Sequence, residues 1–414
     1  MKMWETKNLG DVCYLVGGGT PSKTNKEFYT GDIFWATVRD MKSEVISKTE
    51  CQITEEAVKN SSTNVIPKGN VVIATRVGLG KVCILAQDTA INQDLRSIIP
   101  KDTNKIKVKY LFWWLKNISH LIVNAGTGAT VQGVKVPFLQ SLQIPLPPLP
   151  EQKRIVAILD EAFEGINAAI ANTEKNLANA RELFESYLNA VFTQKGEGWV
   201  EKKLTEIGGK VFTGPFGSLL HKADYIANGI PLINPANIEN DEIVPNFNKT
   251  VSPDVIERLQ SYVLSKNNIV IGRRGEIGRC AVVREEQSGW LCGSGSFFIK
   301  TFEGVNSDFL AHLFRSAIYR NQLEELSTGA TMQNLSNKAI SDLVIAMPPL
   351  AEQKNVIKKL DDLKAETQRL KSIYQRKLEA LKELKQSILE KAFTGELTSD
   401  TPKEVTDTSK EIGA

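Results

Sequence analysis

Few residues in this 414-residue chain have the type and spacing needed for catalysis. Cys13, Cys51, Cys83, Cys280 and Cys292 form no C-x-x-C pair, and His120, His221 and His312 have no spacing that would join them in a metal site. An odd number of thiols in a chain of this size fits reduced, buried cysteines in a reducing compartment. Gly80-Lys81 lacks both the glycine five positions earlier and the Ser or Thr that a phosphate-cradling P-loop requires, since Val82 follows. Gly17-Gly18-Gly19 reads as a turn, because no G-x-G-x-x-G with a following helix occurs. The expectation is a chain with no catalytic residue, no metal and no cofactor. Two cationic loops remain, Thr75-Arg76-Val77-Gly78-Leu79-Gly80-Lys81 and Arg273-Arg274-Gly275-Glu276-Ile277-Gly278-Arg279, each following an apolar strand. Such a loop either offers its cations to an anionic partner or is a β-hairpin whose basic residues are merely solvated.

The elements that must carry these loops show in composition and repetition. With 42% hydrophobic and 24% charged residues the chain is ordinarily globular, which excludes disordered, collagen-like and disulfide-scaffold classes. Its length predicts two to four domains. The net charge of +3 is too small to announce a nucleic-acid binder, but it is uneven. Residues 1–150 hold 18 basic and 12 acidic residues, whereas residues 196–350 hold 15 and 17. Met1 to Gly10 has scattered charges and no apolar core, and no run of 18 apolar residues occurs, so the expected location is the cytoplasm, with no membrane contact.

An internal repeat organises the chain. Pro147, Glu151 and Asp160 recur as Pro348, Glu352 and Asp361, all 201 residues on. The same offset carries Gly128-Ala129-Thr130-Val131-Gln132 onto Gly329-Ala330-Thr331-Met332-Gln333, and an offset of 198 carries Arg76 and Gly80-Lys81 onto Arg274 and Gly278-Arg279. A period this long is a duplicated pair of domains rather than a solenoid.

Each copy changes character at its Pro-Pro-Leu step. Before it, short β-rich runs alternate with Gly, Asn and Pro turns, as in a compact α+β domain. After it, Glu151 to Thr193 and Glu352 to Phe393 contain no proline and carry apolar residues at spacings of three and four, which predicts two long helices with coiled-coil seams. A helix longer than its domain is wide cannot be buried in that domain alone, so the two are expected to pair antiparallel about a pseudo-two-fold axis. The predicted fold class is α+β, with two duplicated globular domains separated by two long antiparallel coiled-coil helices. The predicted segments are a first domain at 1–148, a central helix at 149–198, a second domain at 199–349, a further helix at 350–397 and a flexible tail at 398–414. The run Tyr110, Phe112, Trp113 and Trp114 could suggest a base-stacking platform, but its leucines and its match to Phe309–Phe314 favour a core helix.

At this point the sequence resembles the specificity subunits of type I restriction-modification systems. The likeness rests on the doubled signature at Ile144–Lys153 and Ile345–Lys354, the G-A-T-x-Q loop before each, the opening Trp4–Val12 and the closing Phe393–Leu397. It covers residues 4 to 397. The departures are Ala346-Met347 in the second signature and Gln194-Lys195 after the first helix.

The resemblance implies two target-recognition domains, each reading half of a bipartite asymmetric double-stranded DNA site. It also implies helices that bind two adenine methyltransferase subunits, together with nuclease/translocase subunits that complete the restriction enzyme. Groove reading uses projecting donors, with Arg suited to guanine and Asn or Gln to adenine. The DNA-binding candidates are Thr20, Lys23, Lys26, Arg39, Lys42, Arg76 and Lys81 in the first domain, and Ser218, Lys222, Asn237, Arg273, Arg274 and Arg279 in the second. Several lie where the two copies diverge, as readers of different half-sites must. The G-A-T-x-Q loops fit equally well as phosphate contacts or as turns fixing each domain on its helix. Candidates for partner binding on the helices are Ile155, Leu159, Phe184, Leu360, Leu363 and Leu381. A methyltransferase would need an Asn or Asp followed by Pro-Pro and an aromatic residue, and neither Pro147-Pro148 nor Pro348-Pro349 has these flanks. The alternative function is an adaptor or decoy of the same scaffold that binds methyltransferase subunits without reading DNA.

Overall fold

The computed structural model describes residues 4–128, 133–207, 209–215, 219–274, 277–327 and 334–399. The chain forms two compact units, Met1–Thr173 with Arg376–Ala414, and Glu174–Gln375.

In the first unit the strands Cys13–Gly17, Leu95–Pro100, Val71–Ala74, Val82–Leu85 and Val45–Ile46 lie in that order in one sheet. Its two central strands, Leu95–Pro100 and Val71–Ala74, are antiparallel and almost wholly buried, as their Val/Ile-rich sequences require. A second four-stranded sheet runs Cys51–Ile53, Ile33–Ala36, Thr89–Ile91 and Asn64–Ile66. The second unit repeats the plan. Lys210–Thr213, Ser296–Lys300, Ile269–Gly272 and Cys280–Val282 form one sheet, and Tyr225–Ile226, Thr250–Val251, Ile230–Ile233 and Leu291–Cys292 the other.

Each main sheet is backed by a short helix, Val108–Asn117 or Ser307–Arg315. Tyr110, Phe112, Trp113 and Trp114 are all buried in the first of these, so the aromatic run is core and no base-stacking platform. Four cysteines are free and buried as expected, and burial pushes the thiols of Cys13 and Cys83 up to about 12 and about 11. Cys51 departs from the expectation. It is exposed, on the edge strand Cys51–Ile53 of the second sheet.

Two long helices, Leu149–Gln194 and Leu350–Thr394, have 46 and 45 residues. The first starts two residues earlier than its proline-free stretch, since Pro150 falls in the opening turn, where no main-chain N–H is needed. Both units draw on both helices. In the first, Ile155, Leu159 and Phe163 share a core with Leu389 and Ala392. Asn167 meets Lys385 while Glu151 meets Thr398, so the two segments run antiparallel. In the second, Leu188 and Phe192 share a core with Val356 and Leu360.

The repeated Glu-Gln-Lys triplet shows what fixes each helix to its domain. Gln152 is completely buried, accepts the Lys107 N–H at 2.9 Å, and donates to the carbonyls of Lys105 and Pro147 at 2.8 and 2.9 Å. Gln353 makes the same three bonds, from Asn306 N–H at 2.8 Å and to Gly304 and Pro348 at 3.0 and 2.9 Å. A carboxamide alone offers this donor and acceptor set without charge. Six residues further along the short helix the copies differ. Trp113 donates its indole N–H to Asp160 at 3.0 Å, and His312 stands 3.5 Å from Asp361.

Candidate nucleic-acid interface

In the first unit the basic loop is a tight connection between Val71–Ala74 and Val82–Leu85, closed by Ala74 N–H to Lys81 O at 3.0 Å. Gly78 and Gly80 take φ of +74° and +84°, the left-handed region that side chains disfavour. A Cβ on Gly78 would strike Val38, so the turn Val38–Asp40, which carries exposed Arg39, abuts this loop. Thr75 is the junction. Its N–H donates to Asp94 O at 2.8 Å, and its carbonyl accepts from Val134 N–H at 2.9 Å, just beyond the base of the Thr127–Gly133 loop. Arg76 is half-exposed and lies 3.6 Å from Asp94, and Thr20 bonds to the neighbouring Gln93. Thr20, Arg39, Arg76 and Lys81 are thus gathered at one end of the domain.

Other candidates of this unit are less connected. Lys42 is exposed and paired with Glu50 at 3.0 Å, while Lys23 and Lys26 are exposed on the segment before Phe28. Three residues that the sequence reading missed belong to the same end. Gln93 and Asp94 form the turn beside Thr20, and the Arg96 guanidinium lies against Gly17. Burial lowers the pKa of Arg96, and its Nε is enclosed without a partner. The polar run Asn92-Gln93-Asp94 between apolar strands was the signal available in the sequence.

The second unit holds its equivalent loop by the same link, with Leu335 N–H donating to Arg273 O at 3.1 Å. Arg273 donates from Nε to Asn334 Oδ1 at 3.0 Å and lies over the Phe297 ring. Burial, and then the neighbouring Arg274, lower the pKa of its guanidinium. Arg274 is exposed, and Arg279 reaches the Pro235 carbonyl at 3.5 Å. Asn237 is engaged in its own turn, accepting from Asn234 N–H at 3.0 Å and donating to Val244 O at 3.1 Å. Lys222 is exposed on a short turn capped by Asp224. Ser218, Gly275, Glu276 and the crowns of both G-A-T-x-Q loops, 129–132 and 328–333, lie outside the described residues.

The helix candidates divide by burial. Ile155, Leu159 and Leu360 are fully enclosed within this chain and hold the helices in their own units. Phe184, Leu363 and Leu381 are partly exposed, and Leu183 and Leu384 beside them are about half exposed, at 50% and 47%.

The type I restriction modification DNA specificity domain model matches residues 1–179 and 196–380, one match for each copy of the repeat. The chain belongs to this family. Among curated relatives of the DNA specificity domain family, the MjaIX type I restriction enzyme specificity subunit of Methanocaldococcus jannaschii is 32% identical over 50% of this chain and 52% of its own length. A type I restriction enzyme specificity subunit of Escherichia coli is 34% identical over 46% of this chain and 48% of its own. These matches span about half the length of the relatives. A solved structure described as the structural basis of complex assembly and conformational transition of the type I R-M system shares the fold, with a TM-score of 0.77 at 21% identity. That likeness covers 96% of this chain and 99% of the other. Among the described residues no helix is long and apolar enough to cross a membrane.

Proposed function

We propose that this chain is the DNA-recognition subunit of a type I restriction-modification enzyme, each unit reading one half of a bipartite site. The observation that carries this reading is the repeated junction of two loops. Val134 N–H to Thr75 O in one unit and Leu335 N–H to Arg273 O in the other fasten the glycine-rich basic loop beside the G-A-T-x-Q loop. A shared frame with different side chains on it is what two readers of different sequences need. Phosphate contacts set register and base contacts choose sequence. Arg76, Lys81, Arg274 and Arg279 fit the first task or guanine readout, and Thr20, Arg39 and Gln93 carry donors and acceptors of the kind that base readout uses.

Catalysis belongs, in this reading, to partners in the cytoplasm. Two adenine methyltransferase subunits dock on the long helices, and each flips and methylates a base in its half-site. Nuclease/translocase subunits complete the enzyme. The long helices fix the spacing between half-sites at about one duplex turn, on the order of 34 Å.

Binding selection from a randomised duplex pool, with the chain reconstituted with its methyltransferase subunits, tests this. The expected product is two short defined sequences flanking a spacer of fixed length. Recovery of no preferred sequence would make the chain an adaptor that holds methyltransferase without reading DNA.

A further inference from the structure

The internal repeat makes each unit a comparison for the other, and at one address they differ in charge. In the second unit Arg315, at the end of helix Ser307–Arg315, meets Asp241 at 3.2 Å, and Lys364 of the second long helix meets the same carboxylate at 2.9 Å. Asn240 and Asp241 form the tip of a hairpin with φ of +50° and +73°, a region that Asn and Asp tolerate better than other side chains. Burial opposes ionisation of Asp241, but the two cations outweigh it and hold the carboxyl below its usual range. The adjoining cavity of about 590 Å³ is lined by three arginines and four acids, Asp241 among them.

In the first unit Lys116 stands in the place of Arg315, and Glu44, just before strand Val45–Ile46, reaches it at 3.7 Å. The second cation comes from the opposite partner. Phe163 falls where the repeat puts Lys364, and Lys385 lies 4.7 Å from the centre of its ring. Here a cavity of about 210 Å³ opens over Trp113, Phe163 and Leu389, rimmed by Lys116, Lys382 and Lys385, and its described lining holds no acid. Lys385 is partly buried, donates to Asn167 Oδ1 at 3.1 Å, and lies within electrostatic reach of Glu44, the same acid that meets Lys116. Three ammonium groups around an aromatic floor thus face outward with less counter-charge than the matching site of the other unit contains.

We propose that this cavity is a docking pocket for an acidic side chain, Glu or Asp, presented by a protein subunit that assembles on the first unit. The second unit shows what the address takes, since its own Asp241 supplies the carboxylate there. An aliphatic stem ending in a carboxylate satisfies both the aromatic floor and the lysine rim. A phosphodiester would meet the lysine rim but leave the aromatic floor uncovered. The pocket therefore makes the two units unequal for an otherwise identical partner.

This rests on the reading that methyltransferase subunits dock here, and the test separates the two. Lys382 is exposed, so K382E should leave folding intact, and K385Q removes the second rim charge. Native mass spectrometry and titration of the full chain with its purified methyltransferase subunit should show two subunits bound to wild type. K382E and K385Q should weaken the binding of one of them at least tenfold, and K382R should keep both. Two subunits held with unchanged affinity would overturn the pocket while leaving the proposed function standing. Unchanged subunit binding with weakened binding to duplex DNA would also overturn it, assigning the pocket to a phosphate. A wild-type chain that binds no methyltransferase subunit would overturn both.

Discussion

The side-chain oxygen of Gln152 accepts the main-chain N–H of Lys107 at 2.9 Å, and 201 residues later Gln353 accepts that of Asn306 at 2.8 Å. Through these bonds the start of a long helix is keyed to the start of the short helix behind each sheet. Any domain on this frame is thereby aimed the same way relative to its own helix segment, whatever residues its loops carry.

Replacing either glutamine by Leu strands a buried N–H and two carbonyls. Each unsatisfied buried group costs about 1–3 kcal/mol, so a loss of at least 2 kcal/mol is expected from Q152L or Q353L in urea unfolding. Glu should not rescue the site, because a carboxylate has no N–H for the two carbonyls. Wild-type stability in Q353L would show the bonds to be incidental.

Acid should weaken the second unit through His312. This imidazole is buried with Nδ1 unpartnered, and burial, reinforced by Arg315, lowers its pKa to about 4. A depressed folded pKa means the unfolded chain binds the proton first. The stability this group contributes is complete above about pH 6.5 and is lost as pH falls through 4. The difference in unfolding free energy between wild type and H312Q should therefore change by about 2–3 kcal/mol between pH 7 and pH 4. A constant difference would contradict the assignment.

Arg274 and Arg273 should behave differently despite adjacency. Exposed Arg274 should cost about 1–3 kcal/mol of DNA affinity at the second half-site when replaced by Ala, with no change in stability. Arg273, which holds Asn334, should lower stability as well. Titrations at several salt concentrations against duplexes altered in one half-site would read this, and an equal loss at both half-sites would refute it.

Inserting four residues after Thr173, with four more after Gln375 to keep the helix pairing, adds about 6 Å of helix. The spacer between half-sites should lengthen by one or two base pairs while both half-sequences stay the same. Altered half-sequences would count against the helices as a ruler.

Much of the fold was legible because it is periodic. The spacing of Ile155, Leu159, Leu360 and Leu363 marks helices with an apolar seam, and the duplication fixed the order of elements. Periodicity identifies a buried stripe without saying what buries it, and Ile155, Leu159 and Leu360 turn inward on this chain instead of facing partners. The Glu-Gln-Lys triplet was visible as a motif, but Gln152's reason depends on carbonyls at Lys105 and Pro147 that only the folded chain brings near. Gln93 and Arg96 were missed because strand Leu95–Pro100 carries them to Gly17 and Thr20 from 70 to 80 positions away. The acid-lined and lysine-lined cavities were hidden for a similar reason, since each depends on a helix segment distant in sequence.

The most direct test of the central claim is methylome sequencing of a host carrying this chain with its methyltransferase subunit, beside one carrying the R273A/R274A/R279A variant. The expected result is adenine methylation in two short defined sequences separated by a fixed undefined spacer, with the variant relaxing only the second of them. Methylation within one contiguous motif, or relaxation of both halves together, would contradict a chain in which each unit reads its own half-site.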